Sequence, residues 1–435
     1  MKNTWMGSLL VALSLAVAGA RAAGDGINPP EAFPSAGVTA SADGAKAPAA
    51  DAKAPAPASQ PAGSSCADQS CCAQSCCASQ PCCGCCQDSS RGGGLYGGFD
   101  YLLWWFKKGS LPPLVTHGDP NDTPTGALGQ PGTTVLFGGD RFGSNPFSGA
   151  RFTVGAWLGD CQDLGVETTW LFLEQRRQFF SASGTGDVGT GSLNVVFFNG
   201  DGGFEDSFPQ VALEGTSSGN INIRLVQRLW GGEVNARKVL ACGDSLRLSA
   251  LAGFRYLSLQ ESLDLEADST ALPADLGIST AVAESFGTRN NIYLGQIGAQ
   301  ADACFGNFRV SVLGKVGLGG NDESVKINGT TTNTDPINGT VVATGGFFSG
   351  PNNVGNHHGS DFVVVPEVGV NLGYKLTCNL TATVGYDFLY VSNVVRPGDQ
   401  LDRTITFQTN DRPKVLFHTT DFWAQGINFG LQYRF

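Results

Sequence analysis

The chain has 435 residues and a formal net charge of −11, with 15% charged residues, 10% aromatic residues and 60 glycines. The sign is wrong for binding nucleic-acid phosphates, the charge is too sparse for a disordered acidic chain, and the glycines lack the three-residue period of collagen. Beyond the N-terminus no apolar run is long enough for a membrane helix.

In chain order, Lys2 precedes an apolar run from Gly7 to Ala20, and Ala20-Arg21-Ala22 has the small-x-small form of a signal-peptidase site. Residues 1–22 read as a secretory signal peptide, so the cysteines are expected to meet an oxidising compartment. Residues 23–65 are Ala/Pro-rich and read as a disordered linker. Residues 66–90 form a Cys-rich segment holding Cys66, Cys71, Cys72, Cys76, Cys77, Cys82, Cys83, Cys85 and Cys86. No histidine lies among them and the vicinal pairs do not match a zinc-ribbon spacing, so disulfide cross-linking is the favoured reading over metal binding.

From residue 94 to 435 the sequence alternates with period two, which predicts strands with one apolar and one polar face. A first strand is expected at Leu95–Phe106. Four hairpins follow: Phe152 to Leu173, Val234 to Tyr256, Tyr293 to Leu318 and Val364 to Tyr386, each turning at a short segment that contains Cys161, Cys242, Cys304 or Cys378 respectively. The last strand is Phe422–Phe435, whose odd positions from Ile427 are all apolar or aromatic. Gly/Asn/Asp/Thr-rich stretches, such as Gly184 to Gly219 and Asn321 to Ser360, read as long loops between the hairpins.

A soluble sandwich would bury the apolar faces; an outer-membrane barrel turns them to lipid and its polar faces to the lumen. The export signal, the low charge and the alternation of short turns with long loops favour the barrel. The expected fold is all-β, an antiparallel up-and-down transmembrane barrel of about ten strands. Twelve are reached if Val195–Phe198 or Val135–Phe137 joins the wall. The polar faces then nominate lumen-lining residues: Asp100, Arg151, Glu167, Glu233, Arg237, Arg247, Arg255, Arg309, Lys315, Glu367, Lys375, Asp387 and Arg434. Charges of both signs fit either a water-filled channel or a salt-bridged interior.

Tyr96-Gly97-Gly98-Phe99-Asp100-Tyr101-Leu102-Leu103-Trp104-Trp105-Phe106-Lys107, followed by Leu111-Pro112-Pro113-Leu114-Val115-Thr116, resembles the opening strand of the planctomycete-type outer-membrane β-barrel porin family. Gly231–Asn235 and Ala252–Leu257 are similar to later blocks of that family. The resemblance covers about residues 94–435 and implies an outer-membrane barrel, with no substrate and no functional residues to carry over.

No catalytic constellation emerges, and neither an enzyme nor a cofactor is expected. His117 with Asp119 and His418 with Asp421 are the His/Asp pairs to check on the loop side, and His357-His358 alone does not make a metal shell. Two functions stand: a porin-like channel for ions or very small solutes, and a structural envelope protein whose barrel anchors a disulfide-cross-linked periplasmic tail. Expected partners are outer-membrane lipid, the barrel-assembly machinery reading Phe429, Leu431, Tyr433 and Phe435, and other Cys-rich envelope proteins or a second copy through disulfides. Nucleic acid is not among them.

Overall fold

The computed structural model describes residues 94–139, 146–158, 162–243 and 245–435. The segments read as signal peptide and disordered linker, the Cys-rich segment and Cys161 lie outside the described residues. Period-two alternation gives strands throughout: β1 (Gly94–Phe106), β2 (Val115–Gly118), β3 (Thr134–Phe137), β4 (Phe147–Leu158), β5 (Leu164–Leu173), β6 (Arg176–Gly184), β7 (Ser192–Asn199), β8 (Phe204–Leu213) and β9 (Ser217–Cys242). They continue as β10 (Leu246–Ala271), β11 (Ser279–Phe305), β12 (Phe308–Asp335), β13 (Gly339–Thr344), β14 (Gly355–Lys375), β15 (Leu380–Val395), β16 (Thr404–Ile405) and β17 (Thr419–Arg434).

Ten of these strands close a ring in the order β1, β4, β5, β9, β10, β11, β12, β14, β15, β17 and back to β1, with every neighbouring pair antiparallel. The four hairpins read from the sequence are β4–β5, β9–β10, β11–β12 and β14–β15. Their turns gather at one end of the ring. At the β11–β12 turn, Gly306 has φ +58°, the left-handed backbone that a two-residue hairpin loop demands and glycine adopts without strain.

The alternation on the wall reverses partway up. On β10 the outward positions begin Leu246, Leu248, Ala250, Ala252, Phe254 and Tyr256, then continue as Gln260, Ser262, Asp264 and Glu266. The inward positions do the opposite: Arg247 and Arg255 give way to Leu257, Leu259, Leu263 and Leu265. β12 repeats the reversal, with Phe308, Val312, Val316 and Leu318 outward, followed by Asp322, Ser324 and Lys326. Residues 246 to 256 are about the length a tilted strand needs to cross hydrocarbon. The large apolar side chains there point out of the molecule, Phe254 at 77% and Ile297 at 68% exposure. An apolar belt of this height around a closed ring is a lipid-facing surface. Trp230, Tyr256 and Tyr293 meet across three strands at its upper border, edge-on and tilted, with ring centroids 5.3 and 5.2 Å apart. Phe308–Tyr374 and Tyr433–Phe435 mark the lower border at 5.0 and 4.9 Å. The Trp and Tyr rings at these two edges are amphipathic, which is what an interface selects.

Above the belt the wall behaves like a soluble protein, polar outside and apolar inside. The polar lumen faces expected from the sequence belong to the turn-end half; the reversed half above it lies beyond the strand ends read from the sequence. The strands are also longer than expected. Much of Asn321 to Ser360, read as loop, is strand in β12, β13 and β14, and His357 and His358 stand on β14. Gly184 to Gly219 contributes β7 and β8. Neither Val135–Phe137 nor Val195–Phe198 enters the ring. β3 and β7 instead join β2, β8 and β16 in a small sheet. That sheet packs Val115, Leu193, Val195 and Phe197 against the inward Ile221, Ile223, Leu225, Leu263 and Leu265 of β9 and β10, capping the loop end.

Candidate functional site

The barrel interior is the candidate site, and β10 gives its order from the turn end upward: Arg247, Ser249, Leu251, Arg255, Leu257, Leu259, Glu261, Leu263, Leu265. Arg255 centres a buried four-charge cluster. Its Nε donates to Glu233 Oε2 at 2.7 Å, and it also pairs with Glu367. Lys315 Nζ lies 2.8 Å from Glu233 and 3.2 Å from Glu367. Charges balance, and Gln296 donates to Glu233 and Asn235 at 3.1 and 2.6 Å.

Arg151 forms a second cluster, donating from Nε to Asp100 at 2.9 Å and pairing with Asp387. Asn428 donates to Asp387 at 2.7 Å and accepts from Trp104 Nε1 at 2.8 Å. Nearer the turns, Arg237 holds Glu167 at 2.6 Å, and Tyr96 donates to the same carboxylate at 2.7 Å. The Tyr96 ring crosses Gly155 so closely that a Cβ there would lie 2.2 Å from it. Arg247, Arg309 and Lys375 are half-buried at this end, and Arg434 is exposed on the rim.

Above the ion clusters the interior is largely apolar, with the buried Asn321 donating to Asn290 and Glu323 on the β11–β12 side. Leu102, Trp104, Phe106, Leu229, Leu257, Leu259, Ile292, Leu294 and Phe422 pack into one cluster. Phe106 stacks on Phe147 at 3.9 Å and meets Phe422 edge-on at 5.2 Å. Over this layer Arg396 spans to Glu261, Nε to Oε2 and Nη2 to Oε1 at 2.8 Å each, and donates to the Lys107 carbonyl at 3.0 Å. The cap cluster closes the loop end above it. Within that end Glu284, buried on β11, accepts from Phe348 N at 3.1 Å, Ser349 N at 3.2 Å and Ser349 Oγ at 2.9 Å. Burial raises its carboxyl to about 7 despite those donors.

All thirteen lumen residues nominated from sequence fall on inward positions of ring strands, and the structure brings nine of them into the contacts above. Sequence reasoning missed Tyr96, Gln296, Gln300 and Asp302, although the parity that placed Arg247 and Lys315 also places the β11 even positions inward. Arg396 lies just after β15, where no periodicity could have aimed it at Glu261. The His/Asp pairs do not form. His117 Nε2 lies 3.0 Å from the Thr190 carbonyl, Asp119 accepts from Asn121, Asp421 pairs with Lys107, and His418 N donates to Gln400. His357 Nε2 lies 2.8 Å from the Asn353 carbonyl. Among the described residues no three His, Cys, Asp or Glu side chains converge to hold a metal. Cys242, Cys304 and Cys378 sit at the turn end and are not free thiols.

No curated protein matches the chain. Among solved structures it is similar to the outer membrane protease OmpT from Escherichia coli, at 9% identity and a TM-score of 0.40, covering 79% of this chain and 97% of that one. It is also similar to a Pseudomonas aeruginosa FadL homologue, at 8% identity and a TM-score of 0.23, covering 78% and 89%. A third is an anion-selective porin from Comamonas acidovorans, at 10% identity and a TM-score of 0.16, covering 79% and 99%. The closed ring, the lipid-facing belt and the opening Leu-Leu-Trp-Trp strand agree with one match in sequence, to the family described as "Putative beta barrel porin-7 (BBP7)" over residues 96–435, and the chain belongs to that family of outer-membrane β-barrels.

Proposed function

We propose that this protein is a lumen-closed outer-membrane barrel that serves as an envelope anchor rather than an open diffusion pore. One observation carries the reading: the inward positions of β10 pass through paired charges, an apolar layer, the Glu261–Arg396 pair and an apolar cap. A porin lumen is wide and wet; here both buried ion clusters are held by direct bonds, and the layers above them are filled by packed side chains. In this reading the short turns face the periplasm, and so does the tail that enters β1 from the same end. The Cys-rich segment then tethers the barrel by disulfides to other envelope proteins or to a second copy.

Single-channel recording of the purified full chain in a planar bilayer tests the proposal. The expected result is silence from correctly folded, heat-modifiable protein. Steady conductance would overturn it in favour of a narrow channel for ions or very small solutes, the reading that the family description favours.

A further inference from the structure

The outward face of the wall changes character directly above the apolar belt. On β9 the outward series runs through Ala236 and Val234 within the belt and Trp230 at its border, then reaches Arg228 and Arg224. Strand register carries the change sideways: Arg228 lies opposite Gln260, and Gln260 opposite Arg289. Arg289 lies opposite Ser324, two residues from Lys326. On the other flank Arg177 of β6 lies opposite Val226, two residues from Arg228. Arg177, Arg228, Arg289 and Lys326 are all exposed.

Among the described residues, none of these four side chains has an ion pair or a hydrogen bond, whereas Arg224 above them is bonded to Asp264 at 3.0 Å. Arg228 is flanked by β6 and β10, and Arg289 by β10 and β12, so the strands on both sides of each are described. Of the outward carboxylates on β10 to β12 within four residues of this row, Asp264 is filled by Arg224, Ser262 and Ser285. Asp322 remains against the four cations, in a protein whose net charge is −11. At the opposite border of the belt the outward Lys238 is paired with Asp163. Gln260 stands four residues beyond Tyr256, about 10 Å up a wall whose strands rise ~3.3 Å per residue and tilt ~40°. The headgroup layer outside the hydrocarbon is roughly 5–7 Å deep, and arginine stems lie along apolar surface while their heads reach polar ground.

We propose that Arg228 and Arg289, flanked by Arg177 and Lys326, bind the phosphate of a lipid headgroup in the leaflet at the loop end. Two strand spacings, roughly 10 Å, separate the two arginine backbones, so both guanidinium forks can converge over Gln260 on one phosphate, a geometry they match. Lipid is the occupant because the row is continuous with the lipid-facing belt and begins where the aromatic border ends, at the height where anionic headgroups attract basic side chains. The inference rests on that belt and is independent of whether the lumen is closed.

The test is native mass spectrometry of the full chain released from nanodiscs made of equal parts phosphatidylglycerol and phosphatidylcholine, read as the ratio of the two lipids retained. Phosphatidylglycerol is expected in excess. The excess should fall about tenfold in the Arg228→Gln/Arg289→Gln variant, which removes two charges from the headgroup level. It should persist in Lys238→Gln, an equally outward charge at the other border. Equal retention of the two lipids by the wild type, an unchanged ratio in the double variant, or an equal loss in Lys238→Gln would overturn the proposal. So would oleate, an anionic lipid without phosphate, retained as well as phosphatidylglycerol when it takes that lipid's place. Retention of no lipid at all would overturn the belt together with the site. Should the double variant lose folded gel mobility, Arg228→Gln and Arg289→Gln are measured singly; each must lose part of the excess, and no loss in either refutes the site.

Discussion

Replacing Arg255 by leucine should cost the barrel about 3–5 kcal/mol, the usual penalty for stranding a charge in a buried ion cluster. The structure explains why the site cannot absorb the loss. Glu233 and Glu367 would share Lys315 alone, with side-chain exposures of 9%, 11% and 5%. Directly above, the next inward residues on β10 are the buried Leu257 and Leu259, which offer a displaced carboxylate no hydrogen-bond donor. Removing one charge of each sign, as Arg255→Leu with Glu367→Leu, restores neutrality, and apolar substitutes for a buried pair are often neutral or better. The double variant should therefore be more stable than the single one, with a coupling of at least ~2 kcal/mol. Urea titration in lipid vesicles, read by the gel-mobility difference between folded and unfolded barrel, measures both. A single-variant cost under about 1 kcal/mol, or additive effects, would show that water reaches the cluster and that the interior is wetter than described.

Glu284 makes stability depend on pH in a sense opposite to most carboxylates. Its folded value of about 7 exceeds the ordinary one, so the folded state binds the proton more tightly. Stability should fall by roughly 3 kcal/mol as pH rises from about 4.5 through 7, and Glu284→Gln should remove that component when the two urea midpoints are compared across pH. Deleting Phe435 should reduce assembled barrel in the outer membrane, because its N–H closes on the Leu95 carbonyl at 3.0 Å and its ring caps Tyr433 on the lipid face. Normal levels of heat-modifiable protein would count against an assembly role for Phe429, Leu431, Tyr433 and Phe435. Non-reducing gels of alkylated membranes should show disulfide-linked species that disappear when residues 66–86 are deleted; monomer alone in the intact protein would refute the tether.

The four hairpins and the strand ring were legible because a period of two is a local property, and each tight turn is flanked by residues whose face is plain from parity. Leu380 to Tyr390 needs no distant information to declare Tyr386 outward and Asp387 inward. What stayed hidden is where that rule changes sense. Leu263 and Leu225 are apolar like Phe254, yet they point inward, since the medium outside the wall at their height is water instead of lipid. Parity carries no ruler for height. The cap was illegible for a related reason: Leu193, Val195 and Phe197 read as a wall strand in isolation, and only contact with the inner faces of β9 and β10 shows them to be filling. Ion partners from adjacent strands, such as Arg255 with Glu233, follow from register, whereas Arg396 with Glu261 depends on how an irregular segment folds back.

The staves of this barrel are unequal. β9 to β12 run 26 to 28 residues, whereas β1, β4 and β5 run 13, 12 and 10. With the turns gathered at one end, the opposite rim is cut on a slant, like a quill. The cap leans on the tall side, where β9 to β12 supply much of its apolar backing. The relief of that rim is thus set largely by strand length, which a loop insertion leaves untouched. Shortening β11 and β12 together by two residue pairs would lower one side of that slope while the belt and the ion clusters keep their places.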